Sequence, residues 1–315
     1  RSAACTQRLS KLKGKEILTI EGLSQKEKDV FVYAFEKVGA VQCGFCTPGM
    51  VMSGMAIIKN NPNPSEEEIK EGIKSNICRC TGYVKIIKGI KLASEILNGN
   101  LEIEKDDKKN YIVGDRMSRI DAHDKVLGIG KYVDDMQVED LNYASAIRSK
   151  YPRARILSID YSKALEVEGV IGVLTAKDVP NNKVGHIQQD WDVFIAEGDI
   201  TRSQGDAICL VVANNEKSLE KAKKLVEIEY EELETVSSIE EAEKSDAPLV
   251  HSTGNICQER HVSRGDSDAA FKKCAYIVEE EYSTPFTEHA FLEPECAIAE
   301  PYKDCLLYTS PSPRD

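Results

Sequence analysis

Between residues 25 and 98 the apolar positions recur every three or four residues, in four separate stretches. Ser24-Gln25-Lys26-Glu27 has the form of a capping box, and Val30, Phe31, Ala34, Phe35 and Val38 follow on one stripe until Gly39 stops it. Thr47-Pro48 sets an N-cap residue before a proline at the first helical position, and Val51, Met52, Met55 and Ile58 make the next stripe. Asn61-Pro62-Asn63-Pro64 reads as a turn. Ser65 to Glu68 forms a second capping box, with Ile69, Ile73 and Ile77 along one face behind it. Ile86, Ile87, Ile90, Ala93 and Leu97 mark a last helix, ended by Asn98-Gly99. The spacing predicts a four-helix unit over 25–98.

On either side the pattern changes. Glu16 to Leu23 predicts one β-strand closed by a glycine turn. Residues 99–118 mix charges of both signs with little to bury and read as a connector. From 119 to 285 short apolar runs and period-two stretches alternate with short helices, which predicts an α+β domain. Its strands fall at 143–147, 155–159, 170–174, 208–212, 226–232 and 276–282, and its helices at 217–224 and 268–274. Val126 to Val133 reads as a turn feeding a short strand. Gly128-Ile129-Gly130 lacks the third glycine, the preceding strand and the following helix of a nucleotide-binding loop. The fold class is therefore multidomain, α followed by α+β.

Charge supports the division. Residues 1–98 carry 15 Lys/Arg against 10 Asp/Glu, whereas the remaining residues carry 26 against 43. A chain of net charge −12 without a basic run is a poor partner for a phosphate backbone, so no nucleic-acid role is expected. The sequence has no apolar run of the length, about 18 residues, that a membrane span needs. It opens at Arg1 in polar sequence with no leader pattern, which gives the expectations of a start lying upstream and of a cytoplasmic protein.

The ten cysteines change the picture more. Cys43-Gly44-Phe45-Cys46 and Cys78-Arg79-Cys80 form two tight pairs with 31 residues between them. Soft thiolates suit zinc or an iron–sulfur cluster, and four of them complete either site. Each pair lies just before a predicted helix start, where unpaired N–H groups favour an anionic centre. Gly44 and Gly82 let the backbone come close, and Arg79 would add positive charge or simply be solvated. A lone Cys5 reads first as a small buried hydrophobe, and Cys209, Cys257 and Cys274 as buried or free thiols. His123, His186, His251 and His261 have no ligand spacing. Glu288, His289 and Glu293 are spaced acceptably for a metal, but a strand edge with solvated acids is the preferred reading.

Gln42-Cys-Gly-Phe-Cys-Thr-Pro-Gly-Met50 and Asn76-Ile-Cys-Arg-Cys-Thr-Gly-Tyr83 closely resemble the second [2Fe-2S] domain of the molybdenum hydroxylases, the xanthine dehydrogenase and aldehyde oxidase family. The resemblance implies a four-helix [2Fe-2S]-binding bundle at 25–98, with Cys43, Cys46, Cys78 and Cys80 as ligands of the cluster nearer molybdenum and Gln42 against the molybdopterin cofactor. It makes residues 1–24 the end of a plant-type ferredoxin domain, with Cys5 as a ligand of a distal [2Fe-2S] cluster whose other ligands lie upstream. Lys125 to Asp135 and Gly169 to Pro180 resemble the a/b hammerhead domain, placed at 119–285 after the linker 99–118. Thr287 to Ala299 resembles the entry to the molybdopterin domain, placed at 286–305, and residues 306–315 resemble nothing in the family. Some relatives place a glutamine near molybdenum where Thr287 stands, and that role does not transfer.

The implied activity is hydroxylation of an N-heterocycle or aldehyde, with electrons passing through the clusters to an acceptor. The bundle runs into the hammerhead region with no flavin domain between them, so a separate FAD-binding subunit or other acceptor is the implied partner. The expectation is a fragment that holds one complete cluster and does not turn over alone. A standalone electron-transfer subunit and a zinc-stabilised module are the alternatives.

Overall fold

The computed structural model describes residues 6–104, 111–115, 117–185, 189–303 and 305–309. The chain forms two compact units, one made of 1–136 with 281–315 and the other of 137–280.

The first unit is built on helices α1 (Gln25–Val38), α2 (Thr47–Asn60), α3 (Glu66–Ile73), α4 (Val84–Leu97) and α5 (Ala122–Leu127). The sequence specifies their starts. Ser24 accepts from the Glu27 N–H at 3.3 Å while the Glu27 carboxylate accepts from the Ser24 N–H at 2.7 Å. Ser65 and Glu68 repeat the exchange before α3. The cap of α2 falls on Cys46, one residue earlier than the Thr47-Pro48 signal suggests.

The apolar stripes meet in one core. Phe31, Phe35, Met50, Val51, Ile69, Ile86 and Ile90 are wholly or almost wholly buried there. Each such side chain contributes about 1.5–3 kcal/mol relative to exposure. Gly54 lets α2 approach closely: a Cβ there would stand 3.0 Å from Ile90 and 3.1 Å from Phe31.

Three expectations fail in this unit. Residues 16–19 form no strand, and a 3₁₀ turn occupies Ile20–Gly22, because an isolated strand finds no hydrogen-bonding neighbour among the described residues. Ile77 does not continue the α3 stripe. That helix ends at Ile73, and Ile77 is 69% exposed on the turn that carries Cys78. Val126 to Val133 holds no strand either: Val126 is buried in the bundle core within α5, and Gly128 ends the helix at φ +71°.

The second unit is α+β. Strands β1 (Tyr143–Arg148), β2 (Ala154–Asp160), β3 (Val170–Leu174), β4 (Lys183–Val184), β5 (Trp191–Asp192), β6 (Ala207–Ala213) and β7 (Glu227–Glu232) make one three-stranded antiparallel sheet, β1-β6-β3, and the pairs β2-β7 and β4-β5. In the larger sheet Ala146 and Leu174 both face Leu210 across the ladders. Helices α6 (Ser162–Leu165) and α7 (Glu216–Lys223) cover it, with Ala164, Leu219 and Ala222 packed on Val211 and Ala213. Ile156, Ile195 and Ile208 form a smaller core beneath β2. The expected strand at 276–282 does not form. Tyr276, Val278 and Tyr282 are exposed, and alternation alone cannot hold a strand without a neighbour.

The last hairpin, β8 (Ile298–Tyr302) with β9 (Cys305–Thr309), pairs antiparallel and belongs to the first unit. Among the described residues no helix is long and apolar enough to cross a membrane.

Candidate functional site

The two cysteine loops close over one end of the bundle. The first joins α1 to α2. Gly44 takes φ +85°, and its carbonyl accepts from the Thr47 N–H at 3.0 Å, so the loop doubles back with Cys43 buried and Cys46 at the N-cap of α2. The second loop joins α3 to α4. Its Tyr83 stands at φ +69°, a left-handed conformation that costs a non-glycine residue roughly 1–2 kcal/mol. The phenol offsets that cost: its Oη accepts from the Cys78 N–H at 2.9 Å and donates to the Asn76 carbonyl at 3.4 Å. Thr81 adds an Oγ1 contact to Cys78 Sγ at 3.2 Å and accepts from the Tyr83 N–H.

The four sulfurs meet two by two across the loops. Cys46 hydrogen-bonds to Cys78, and Cys43 to Cys80. The Cys46–Cys78 bond, helped by Thr81 and the Thr81 and Cys80 N–H groups, lowers Cys78 to about 5 despite its burial. The same bond, with burial and the neighbouring sulfurs, pushes Cys46 far up. Burial, then the Cys43 side chain, raises Cys80, against the pull of the Cys43 N–H.

Among the described residues, no three Cys, His, Asp or Glu side chains crowd one point as a single ion requires. Thiolates gathered in pairs, with N–H groups aimed at sulfur, are the donor set of a two-iron cluster. The residues present fit that group.

A second set of side chains, distant in sequence, braces the first loop. Arg119 Nη1 donates to the Gln42 carbonyl at 2.7 Å, and Tyr132 Oη donates to the Cys43 carbonyl at 2.9 Å. The Tyr132 ring packs edge-on against Phe45, 5.8 Å between centroids. Arg119 and Lys125 both pair with Asp121, the latter at 3.1 Å. Nothing in the periodicity or spacing of residues 99–132 pointed to these contacts. Tyr132 stood in the stretch compared with the hammerhead domain, without a role.

Beside the sulfurs lies a cleft of about 660 Å³. Gln42, Cys43, Cys78, Arg79, Cys80 and Gly82 line one wall, and Thr287, Glu288, His289, Phe291 and Glu293 the other. Arg79 joins the walls through Nε to the His289 carbonyl and Nη2 to that of Glu288, both at 2.6 Å, so it is not a free solvated arginine. Glu288 and His289 are exposed, but Glu293 corrects the reading of solvated acids. It is only 6% exposed, its Oε2 accepts no hydrogen bond from the described residues, and burial raises its carboxyl while Lys125 and Arg119 pull it back. The segment folds against the bundle, which turns that acid inward. Cys209 is buried in β6 of the other unit and raised to about 11 by burial, whereas Cys257 and Cys274 are exposed. Cys5 and His186 lie outside the described residues.

Three family profiles match in the order of this architecture: a [2Fe-2S] binding domain at 19–91, the aldehyde oxidase and xanthine dehydrogenase a/b hammerhead domain at 127–234, and a molybdopterin cofactor-binding domain at 250–312. The nicotinate dehydrogenase large molybdopterin subunit of Eubacterium barkeri is 38% identical over 61% of this chain and 45% of its own length. An aldehyde oxidoreductase of Megalodesulfovibrio gigas is 30% identical over 94% of this chain and 35% of its own. The chain thus spans less than half the length of these relatives. The solved aldehyde oxidoreductase of Desulfovibrio gigas superposes with a TM-score of 0.78 at 27% identity, covering 98% of this chain and 36% of that one. Three consecutive profiles, a helical cluster domain running into a hammerhead domain, and a matching solved fold identify the chain as a member of the molybdenum hydroxylases, the xanthine dehydrogenase and aldehyde oxidase family.

Proposed function

We propose that this chain is the electron-relay portion of a molybdenum hydroxylase, with one [2Fe-2S] cluster held by Cys43, Cys46, Cys78 and Cys80. The observation that carries the reading is the pairwise meeting of the four thiols beside a cleft that Cys43, Cys78 and Cys80 line and residues of the molybdopterin-profile segment close. A cluster bound there supplies one-electron transfer, and a molybdopterin beside it supplies the oxidation of substrate.

The residues of the chain do the rest. Cys46 and Cys78 make one ligand pair, Cys43 and Cys80 the other, and their thiol protons leave as metal enters. The N–H groups aimed at Cys78 and Cys80 stabilise negative charge on sulfur and so favour the reduced cluster. Gln42, with its carbonyl fixed by Arg119, lines the cleft and is the residue we place against the pterin. By the family resemblance Cys5 would serve a distal cluster. Electrons would then leave for an FAD-binding subunit or another acceptor, in a cytoplasmic enzyme whose substrate is an N-heterocycle or aldehyde. The relative named as a large molybdopterin subunit supports an assembly of several chains.

Anaerobic expression followed by iron, sulfide and EPR analysis tests this. The expected result is about two irons and two sulfides per cluster site, a dithionite-induced EPR signal, and loss of both in Cys78→Ser. Stoichiometric zinc without sulfide would overturn it.

A further inference from the structure

Lys125 is a buried lysine beside a predicted anionic centre, and ion pairing alone accounts poorly for its place. Its side chain is 9% exposed, and lysines are seldom buried without strong compensation. Its ammonium lies 3.1 Å from Asp121 and 5.5 Å from the centre of the Tyr132 ring. Asp121, however, is shared with the Arg119 guanidinium, so two cations face one carboxylate. The stem of Lys125 lies against the first cysteine loop: a Cβ built on Gly44 would come within 2.7–2.8 Å of its Cβ, Cγ and Cδ. Glu293 is the other acid of this group, buried and with Oε2 unpartnered among the described residues.

We propose that Lys125 is a positioning and tuning residue for the cluster: its stem fixes Gly44, and its ammonium places a fixed positive charge behind Cys43. The inference rests on the cluster reading above. Reduction adds an electron to a centre that is already anionic, so a fixed cation stabilises the reduced form more than the oxidised one and raises the midpoint potential. Burial raises the Glu293 carboxyl, and the positive charges of Lys125 and Arg119 oppose that rise, so the field of Lys125 reaches the wall of the cleft. Asp121 opposes them by partial neutralisation.

The test is an EPR-monitored redox titration of the full 315-residue chain with iron and sulfide measured in parallel. Lys125→Met keeps the apolar stem and removes the charge; Lys125→Arg keeps the charge. The expected result is a full cluster in both, with the midpoint more negative in Lys125→Met and close to the parent in Lys125→Arg. An unmoved midpoint in a cluster-replete Lys125→Met overturns the inference. Should Lys125→Met lose its cluster, Lys125→Gln decides, since it keeps a stem on Gly44 and a polar end without the charge: a midpoint shifted negative supports the inference and an unshifted one overturns it. A parent chain without sulfide or a reduced-state signal overturns the cluster reading itself, an outcome distinct from an unmoved variant.

Discussion

Gly44→Ala is the perturbation that bears most directly on how the first loop is held. The residue sits at φ +85°, and alanine in that region costs about 1–2 kcal/mol. Its methyl would also meet three carbons of Lys125 at 2.7–2.8 Å. That stem cannot swing aside freely, because its far end is tied to Asp121. Overpacking of this kind costs about 1–3 kcal/mol. Together the two effects give about 2–5 kcal/mol, a large part of the 5–15 kcal/mol typical of a domain. Gly82 is the control. It has φ +63° in the second cysteine loop with nothing within 4 Å of a built Cβ, so Gly82→Ala should cost only the backbone share, about 1–2 kcal/mol. Urea unfolding followed by helical dichroism and by the visible absorption of the cluster would compare the two. If Gly44→Ala is no more destabilising than Gly82→Ala, the packing of Lys125 on the loop has no energetic weight and the argument from it fails.

Three further outcomes follow from the geometry. The iron-free chain should show one thiolate titrating near pH 5, that of Cys78, by absorbance near 240 nm; Cys46→Ala, which removes its largest stabilising contact, should move that step up, and a step that stays in place would refute the role given to that contact. Ile90→Ala, at a fully buried site between α1, α2 and α4, should cost about 2–5 kcal/mol in denaturant unfolding; under 1 kcal/mol would mean that this core is loosely packed. Glu68 is held below its ordinary value of 4.5 by the Ser65 N–H and hydroxyl, so its contribution is present above pH 4.5 and fades as pH falls through the lowered value. The stability difference between the parent and Glu68→Gln should therefore shrink on acidification, and a difference that grows would contradict the capping role.

Much of the first unit was readable from residues alone because its determinants are local. Val30, Phe31, Ala34 and Phe35 are buried as their spacing implies, and both capping boxes form as written. The cysteine loops were equally apparent, since ligand type and short spacing are sequence properties. What stayed hidden depends on partners far along the chain. A strand pattern such as 276–282 states which faces are apolar but not whether a neighbour exists. Arg119, Lys125 and Tyr132 look like ordinary connector and turn residues until folding brings them to Gln42, Gly44 and Cys43. Glu293 looked solvated because acids usually are, and only the packing of residues 287–293 against the bundle reverses that prior.

The bracing of the first loop also sets a schedule. Cys43 is tied to Tyr132 across 89 positions and Gln42 to Arg119 across 77. At about 5–20 residues per second of synthesis, those partners leave the ribosome roughly 4–18 s after the loop they hold. The four helices carry their own capping and apolar signals and can associate in that interval, but the loop with Cys43 lacks its two carbonyl anchors until then. Docking of residues 119–132 is therefore the step that completes the first loop as the chain is made, well after its own residues have emerged.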